Sequence, residues 1–403
     1  GAAAFTALPF VFAGSLTSYT DAFFEAMSGL TTTGATVLRD IEAQPHGILF
    51  WRSFLHWLGG MGIIVLFIAV LPNLGPGAMR LFKAEVPGPV PERLEPRIRD
   101  TAKSLWLIYL GISIVQAALL RLGGMSVFDS VTHTFGTMAT GGFSTKTASV
   151  GAWESPFIQW TIVAFMLIAG GNFALYHRLL RNRRFSVLKD EEAVSYLVIV
   201  ACAAILLISS IHPTYDNLGK TVRDSCFQVA SIITTTGFAT ADFDTWPFLA
   251  KGVLFILMFI GGCAGSTGGA IKVRRVLVVL KHAFAESYRS LHPRAVTRVK
   301  LNGVAVQDEA LNSALGFVTL YMLAFVAATL AMTSLGLDIV SAASGVAATL
   351  GNVGPGLGIV GPSTDYAHVH PMGKWIFSFC MLLGRLEVYP VLALFIPGFW
   401  RKP

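Results

Sequence analysis

Charge is scarce in this 403-residue chain: Asp, Glu, Lys and Arg together make up 13% of it. A soluble domain carries about 25%, so an ordinary water-facing surface cannot be built. Cysteine is nearly absent as well. Cys202, Cys226, Cys263 and Cys380 lie far apart, with no CxxC or metal-ligand spacing. The thiols therefore read as packing residues in a reducing or lipid setting. The chain also lacks HExxH, a glycine loop ending in GK[ST], a nucleophile–base pattern and a carboxylate pair inside an apolar segment. Those absences remove the common hydrolytic and phosphoryl-transfer signatures. No cleavable signal peptide is visible in the opening residues of the chain. It begins "GAAAFTALPFVFAG", without Met or a charged flank, and this reads as the tail of a membrane helix whose beginning is missing.

What fills the chain is apolar: 54% of residues are hydrophobic. Long apolar segments run at 48–73, 102–122, 156–177, 194–211, 249–280, 313–335 and 373–396. Each has, or nearly has, the roughly 20 residues that a helix needs to cross a hydrocarbon core. The lipid bilayer is therefore the expected solvent. Of the 30 Lys and Arg, 19 fall in three connecting stretches, 75–103, 178–192 and 272–300. The positive-inside rule puts all three in the cytoplasm. No aromatics interleave these basic residues, so they read as solvated loops and not as a nucleic-acid surface.

Each interval between basic stretches must leave the cytoplasm and return. Lys103 to Arg178 shows how: a helix to about Leu122, then "MSVFDSVTHTFGTM", then "ATGGFST", then "FIQWTIVAFMLIAG". The short segment, at 10–14 residues, cannot span and is predicted to be a re-entrant half-helix. The motif recurs. Asp21 to Gly34, Asp129 to Gly142 and Asp224 to Gly237 are each separated by thirteen residues, which selects Gly142 over Gly141 as the equivalent glycine. A fourth copy runs from Asp338 to Gly354 in a looser register of sixteen. The expected fold is an all-α polytopic membrane protein, with four pseudo-repeated helix–re-entrant pore helix–helix units around a central pore. Repeats are expected at 1–74 (first helix incomplete), 101–180, 194–282 (second helix broken) and 308–403. Cytoplasmic loops would fill 75–100, 181–193 and 283–307.

An Asp at the start of each short helix is expected to cap its free N–H groups, which assigns Asp21, Asp129, Asp224 and Asp338 as pore-helix caps. Beyond the helix, Thr-Thr-Gly backbone can turn carbonyls inward, because glycine tolerates the required φ. Rings of carbonyls replacing a hydration shell are how potassium pores select.

At this point the sequence resembles the Trk/Ktr/HKT superfamily of potassium transporters, most closely the TrkH-type bacterial membrane subunit. The residues carrying the resemblance are "TDAFFEAMSGLTTTGATVL", "HWLGGMGIIVL", "TGGFST", "TTTGFATADF", "GGCAGSTGGAIKV", "LGNVGPGLG" and "GRLEVYP", in order along the whole chain. The resemblance implies K⁺ uptake across a bacterial inner membrane. It implies a selectivity filter at Thr32, Thr33 and Gly34; Thr140, Gly141 and Gly142; Thr235, Thr236 and Gly237; and Asn352, Val353 and Gly354. K⁺ contacts are expected at Thr33, Gly34, Thr140, Gly142, Thr236, Gly237, Val353 and Gly354. No repeat carries TVGYG, so fewer stacked sites and a softer selectivity are expected. The resemblance also implies a homodimer above a cytosolic, nucleotide-binding regulatory ring of the TrkA type. No cofactor or catalytic residue is implied beyond K⁺ as the transported ion. Family members usually carry an extra N-terminal helical hairpin, which this sequence does not show.

Residues 249–280 exceed one span, and glycine is dense from Gly261 to Gly269. At about 1 kcal/mol of helix propensity lost per glycine, the helix should break there. The resemblance makes this a gating loop of Gly261, Gly262, Gly265, Ser266, Thr267, Gly268 and Gly269. Arg385, a charge inside an apolar segment, is functional by default and is implied to lie beside that loop. Pairing of Arg385 with Glu387 is disfavoured, since i and i+2 face differently on a helix. Two other readings stay open. One is Na⁺- or H⁺-coupled symport, with His56, His133 and Glu387 as the ionisable candidates. The other is an intramembrane enzyme using "GCAGSTGG" as an anion cradle.

Overall fold

The computed structural model describes residues 1–70, 98–182, 189–295 and 297–394. Of the expected cytoplasmic loops 75–100 and 181–193, residues 75–97 and 183–188 lie outside the described residues.

Four short helices form the inner layer: Tyr19–Leu30, Val127–Met138, Leu218–Ile233 and Ile339–Leu350. Three have 12 residues and rise about 18 Å, well short of the roughly 30 Å a span requires. Each is followed by a turn and by a helix that packs back alongside: His46–Val70, Pro156–Ala169, Phe248–Leu257 and Pro371–Arg385. The chain is built inside-out. Thr221, Asp224, Ser225, Gln228 and Ser231 are buried on the third short helix. The outer helices Lys103–Leu122, Glu191–Thr214 and Asp308–Ser334 have only 28%, 28% and 17% of their most apolar stretch covered by protein. Apolar faces of that size would be untenable in water and are the faces lipid covers.

Three of the long apolar segments are interrupted, and for 249–280 the interruption was expected. Residues 156–177 bend by 92° between Pro156–Ala169 and Phe173–Leu180. Residues 249–280 stop at Leu257 and restart at Val273, so the break is wider than Gly261–Gly269. Residues 373–396 stop at Arg385, and Glu387 at φ +63° precedes a short helix, Val388–Ala393. Irregular backbone at such depth survives only where protein or a wet cavity surrounds it.

The expected caps need correction. Of the four expected aspartates, Asp338 alone accepts hydrogen bonds as an N-cap, from the N–H groups of Val340 and Ser341 at 3.0 Å each. Asp21 and Asp129 sit in the first turn, behind Ser18 and Ser126, and Asp224 lies well inside its 16-residue helix, whose cap is Asn217. The fourth register is therefore not looser: Ser18, Ser126 and Asp338 all stand sixteen residues ahead of their glycine. Asp129 and Asp224 instead accept from Thr145 and Thr240, at 2.6 and 3.1 Å, just past the turn. Asp338→Ala should cost about 1 kcal/mol, the usual worth of a cap, and lower the melting temperature in detergent. Asp338→Ser should retain most of it. A melt unchanged by both substitutions would remove the capping role.

Candidate ion pathway

All four short helices end in the same way. The N–H groups of Thr33, Gly141, Thr236 and Val353 bond back to Ser28, Gly136, Ser231 and Ala348, at 2.9, 2.8, 2.8 and 2.7 Å. This closure requires a left-handed residue just before. Thr32, Thr140, Thr235 and Asn352 supply it at φ +52°, +54°, +60° and +55°. Asparagine tolerates that region, but a β-branched threonine there is an outlier costing roughly 1–3 kcal/mol. Three occurrences at equivalent positions mean that the surrounding structure enforces it. The glycine two residues later is left-handed again: Gly34 +85°, Gly142 +78°, Gly237 +78° and Gly354 +102°. The N–H groups thus turn back onto the helix. Among the described residues, no donor reaches the carbonyls of Thr33, Gly141, Thr236 and Val353.

Those carbonyls close a ring, and in the second repeat it is Gly141, not the expected Thr140, that stands with Thr33, Thr236 and Val353. A Cβ on Gly34 would strike the carbonyl of Gly141, one on Gly142 that of Thr236, and one on Gly237 that of Val353. A Cβ on Gly354 would lie 2.6 Å from the carbonyl of Thr33. Each repeat leans its free carbonyl on the glycine of the previous one, and the fourth returns to the first. One cavity of about 120 Å³ touches all four glycines, with Arg52, Lys146 and Asp365 on its wall. Thr32 Oγ1 is buried without a hydrogen-bond partner, but the other threonine hydroxyls of the turns are tied to protein groups. Thr33 pairs with Thr31 at 2.8 Å, Thr236 with Thr234 at 2.7 Å, and Thr140 donates to the Ala139 carbonyl at 2.6 Å.

The irregular stretch after Leu257 lies against this ring. Thr267 Oγ1 donates to the carbonyls of Met138 and Ala169, at 3.0 and 3.2 Å. The N–H of Gly269 donates to Thr235 Oγ1 at 2.7 Å, and a Cβ on Gly269 would meet the Gly351 carbonyl at 2.5 Å. Arg385, buried, donates to the Thr267 carbonyl and, at 3.0 Å, to the Gly59 carbonyl. Loop and arginine together touch all four repeats. Glu387 does not pair with Arg385; it takes Arg275 through both oxygens, at 2.8 and 2.6 Å. The donor inventory weakens the anion-cradle reading, because most N–H groups of the stretch are already used. The N–H groups of Gly261, Cys263, Ala264, Ser266, Thr267 and Gly269 all have protein acceptors.

The chain matches the family model described as TrkH, cation transport protein, over residues 4–402. It belongs to the TrkH family. The Trk system potassium uptake protein TrkH of Salmonella typhimurium is 46% identical over 98% of this chain and 83% of its own length. That of Escherichia coli K12 is 45% identical over the same shares. The crystal structure of the potassium transporter TrkH from Vibrio parahaemolyticus superposes with a TM-score of 0.88 at 40% identity, covering 99% of this chain and 83% of that one. As a TrkH-family chain it is a multi-pass membrane protein.

Several contacts at the TrkH-type core escape sequence reasoning. Glu192 accepts from the N–H of Ala264 at 2.5 Å and so anchors the loop from an outer helix. Lys272 donates to the carbonyl of Gly268. The Asn352 amide donates to Thr33 Oγ1 at 3.0 Å and to the Met381 carbonyl at 2.9 Å. Glu25 and Arg52, both fully buried, pair at 2.8 Å. Glu25 carried a signal: a carboxylate inside an apolar half-helix is functional by default. His133, one of the ionisable candidates for coupling, lies between the Asp129 carbonyl and Ser144 Oγ, at 2.8 and 2.9 Å.

Proposed function

We propose that this chain takes up potassium across a bacterial plasma membrane, through a pore whose selective element is the ring of Thr33, Gly141, Thr236 and Val353 carbonyls. The observation that carries the reading is the closed sequence of glycine–carbonyl contacts beneath one shared cavity. A cation entering there exchanges water for carbonyl oxygens held in advance by four helix ends, so little reorganisation is needed at the moment of dehydration. The negative ends of the four short helices add a favourable field. Permeation needs no chemical step and no cofactor in this reading, so the chain is a conductor and not an enzyme.

The 258–272 stretch and Arg385 act as the gate. Their support is position: they span all four repeats directly beneath the ring, and Arg385 brings a fixed positive charge. Partners follow from the same reading: a second copy in the membrane, and a cytosolic nucleotide-binding ring of the TrkA type that pulls the gate open. His56 keeps proton coupling in view, because a Cβ on Gly141 would collide with its ring. Rb⁺ flux into proteoliposomes, with and without an imposed pH or Na⁺ gradient, tests the function. Flux driven by the membrane potential alone is expected, and strict dependence on either gradient would replace the channel with a symporter. The purified protein is expected to run as a dimer and to retain its co-encoded regulatory subunit. Monomers in several mild detergents, with no subunit bound, would overturn the assembly.

A further inference from the structure

A buried ion pair stands behind the outer wall of the ring. Glu25 and Arg52 are 0% and 1% exposed, a costly arrangement that stability alone seldom rewards. The Glu25 carboxylate also accepts from Thr36 Oγ1 at 2.9 Å and from the N–H of Val37 at 3.0 Å. Arg52 reaches Thr36 Oγ1 at 3.2 Å and the Ser144 carbonyl at 3.4 Å. Its guanidinium lies 4.1 Å from the centre of the Phe143 ring, on which His56, one turn along the same helix, also stacks. Thr36 follows Gly34 by two residues, and Phe143 and Ser144 follow Gly142 directly. One ion pair therefore grips the outgoing strand of two neighbouring repeats.

The other repeats grade away from this. The position nine residues before each glycine holds Glu25, His133, Gln228 and Gly345. His133 meets Ser144 Oγ at 2.9 Å, and Gln228 reaches the Ala241 carbonyl only at 3.4 Å. At Gly345 the space belongs to Phe377 and Val360. Charge-assisted bonds are about twice as strong as neutral ones, so the wall is stiffest between repeats one and two. We propose that Glu25 and Arg52 are positioning residues for K⁺ over Na⁺ selectivity, holding the Gly34 and Gly142 walls at the spacing that suits K⁺. The proposal rests on reading the four glycines as the selective ring.

The test compares K⁺/Na⁺ flux ratios in proteoliposomes for Arg52→Lys, Glu25→Gln and the double variant Glu25→Gln/Arg52→Gln, with Gly34→Ser as reference. Arg52→Lys keeps the charge and loses the fork that reaches two repeats. If Glu25→Gln alone fails to fold because it strands a buried cation, the double variant, with no buried charge, carries the test. The ratio is expected to fall about fivefold in Arg52→Lys and in the double variant, with dimer and melting behaviour kept. A pair that merely stabilised the fold would leave both ratios at wild type while Gly34→Ser lost selectivity, and that result overturns the proposal. Should Gly34→Ser also keep its ratio, the ring itself is misassigned and the proposal falls with it.

Discussion

Arg385→Ala raises basal K⁺ flux, measured without any regulatory partner, by about two powers of ten. The estimate is Coulombic: a fixed positive charge about 5 Å from a passing cation, at an effective dielectric near 20, opposes it by roughly 3 kcal/mol. The side chain also ties two segments together, since its two donors hold the Thr267 carbonyl and the Gly59 carbonyl of another repeat. Arg385→Lys separates the two roles. An ammonium keeps the charge but cannot reproduce the planar fork, so its flux should fall between wild type and Arg385→Ala. Deleting several residues from 261–269 should raise flux in the same direction. K⁺ preference should survive in Arg385→Ala, because the carbonyl ring is untouched. Folded, dimeric variants whose basal flux stays at or below wild type would place the gate elsewhere and make Arg385 structural.

Gly→Ser at Gly34, Gly142, Gly237 or Gly354 lowers the K⁺/Na⁺ flux ratio by about tenfold, an energetic difference of about 1.4 kcal/mol. Each new Cβ would collide with the free carbonyl of the adjoining repeat, so a single substitution disturbs two walls of the ring. It also places a side chain at positive φ, which adds backbone strain. The four variants should behave alike. Gly354 belongs with the others despite its sixteen-residue spacing, because its collision is with the Thr33 carbonyl at 2.6 Å. Unchanged discrimination in all four folded variants would remove the ring from its assigned role.

The re-entrant helices were legible because length is a local property: 12 residues cannot cross a bilayer, whatever surrounds them. The break after Leu257 was legible in the same way, from glycine density, though its width was not. Glycine's helix cost locates an interruption, but hydrogen bonds such as Gly261 N–H to the Ile271 carbonyl at 2.9 Å decide where helix resumes. The caps were misread at Asp224 for a related reason. A shared spacing to glycine cannot show that the third helix begins a turn earlier than the others.

Composition, apolar run length and recurrent spacing are written along the chain, so the sequence by itself determined a membrane protein of four re-entrant units with one glycine apiece. The tertiary structure alone decided which carbonyl leans on which glycine, and that threonine, not only glycine, occupies the left-handed turns. It alone joined Asn352 to Thr33 across 319 residues and Glu25 to Arg52. The physical reason is that a buried polar group is tolerable only with its partner in place. Its cost can be read from the sequence, but the partner that offsets it is chosen by the packing of distant segments.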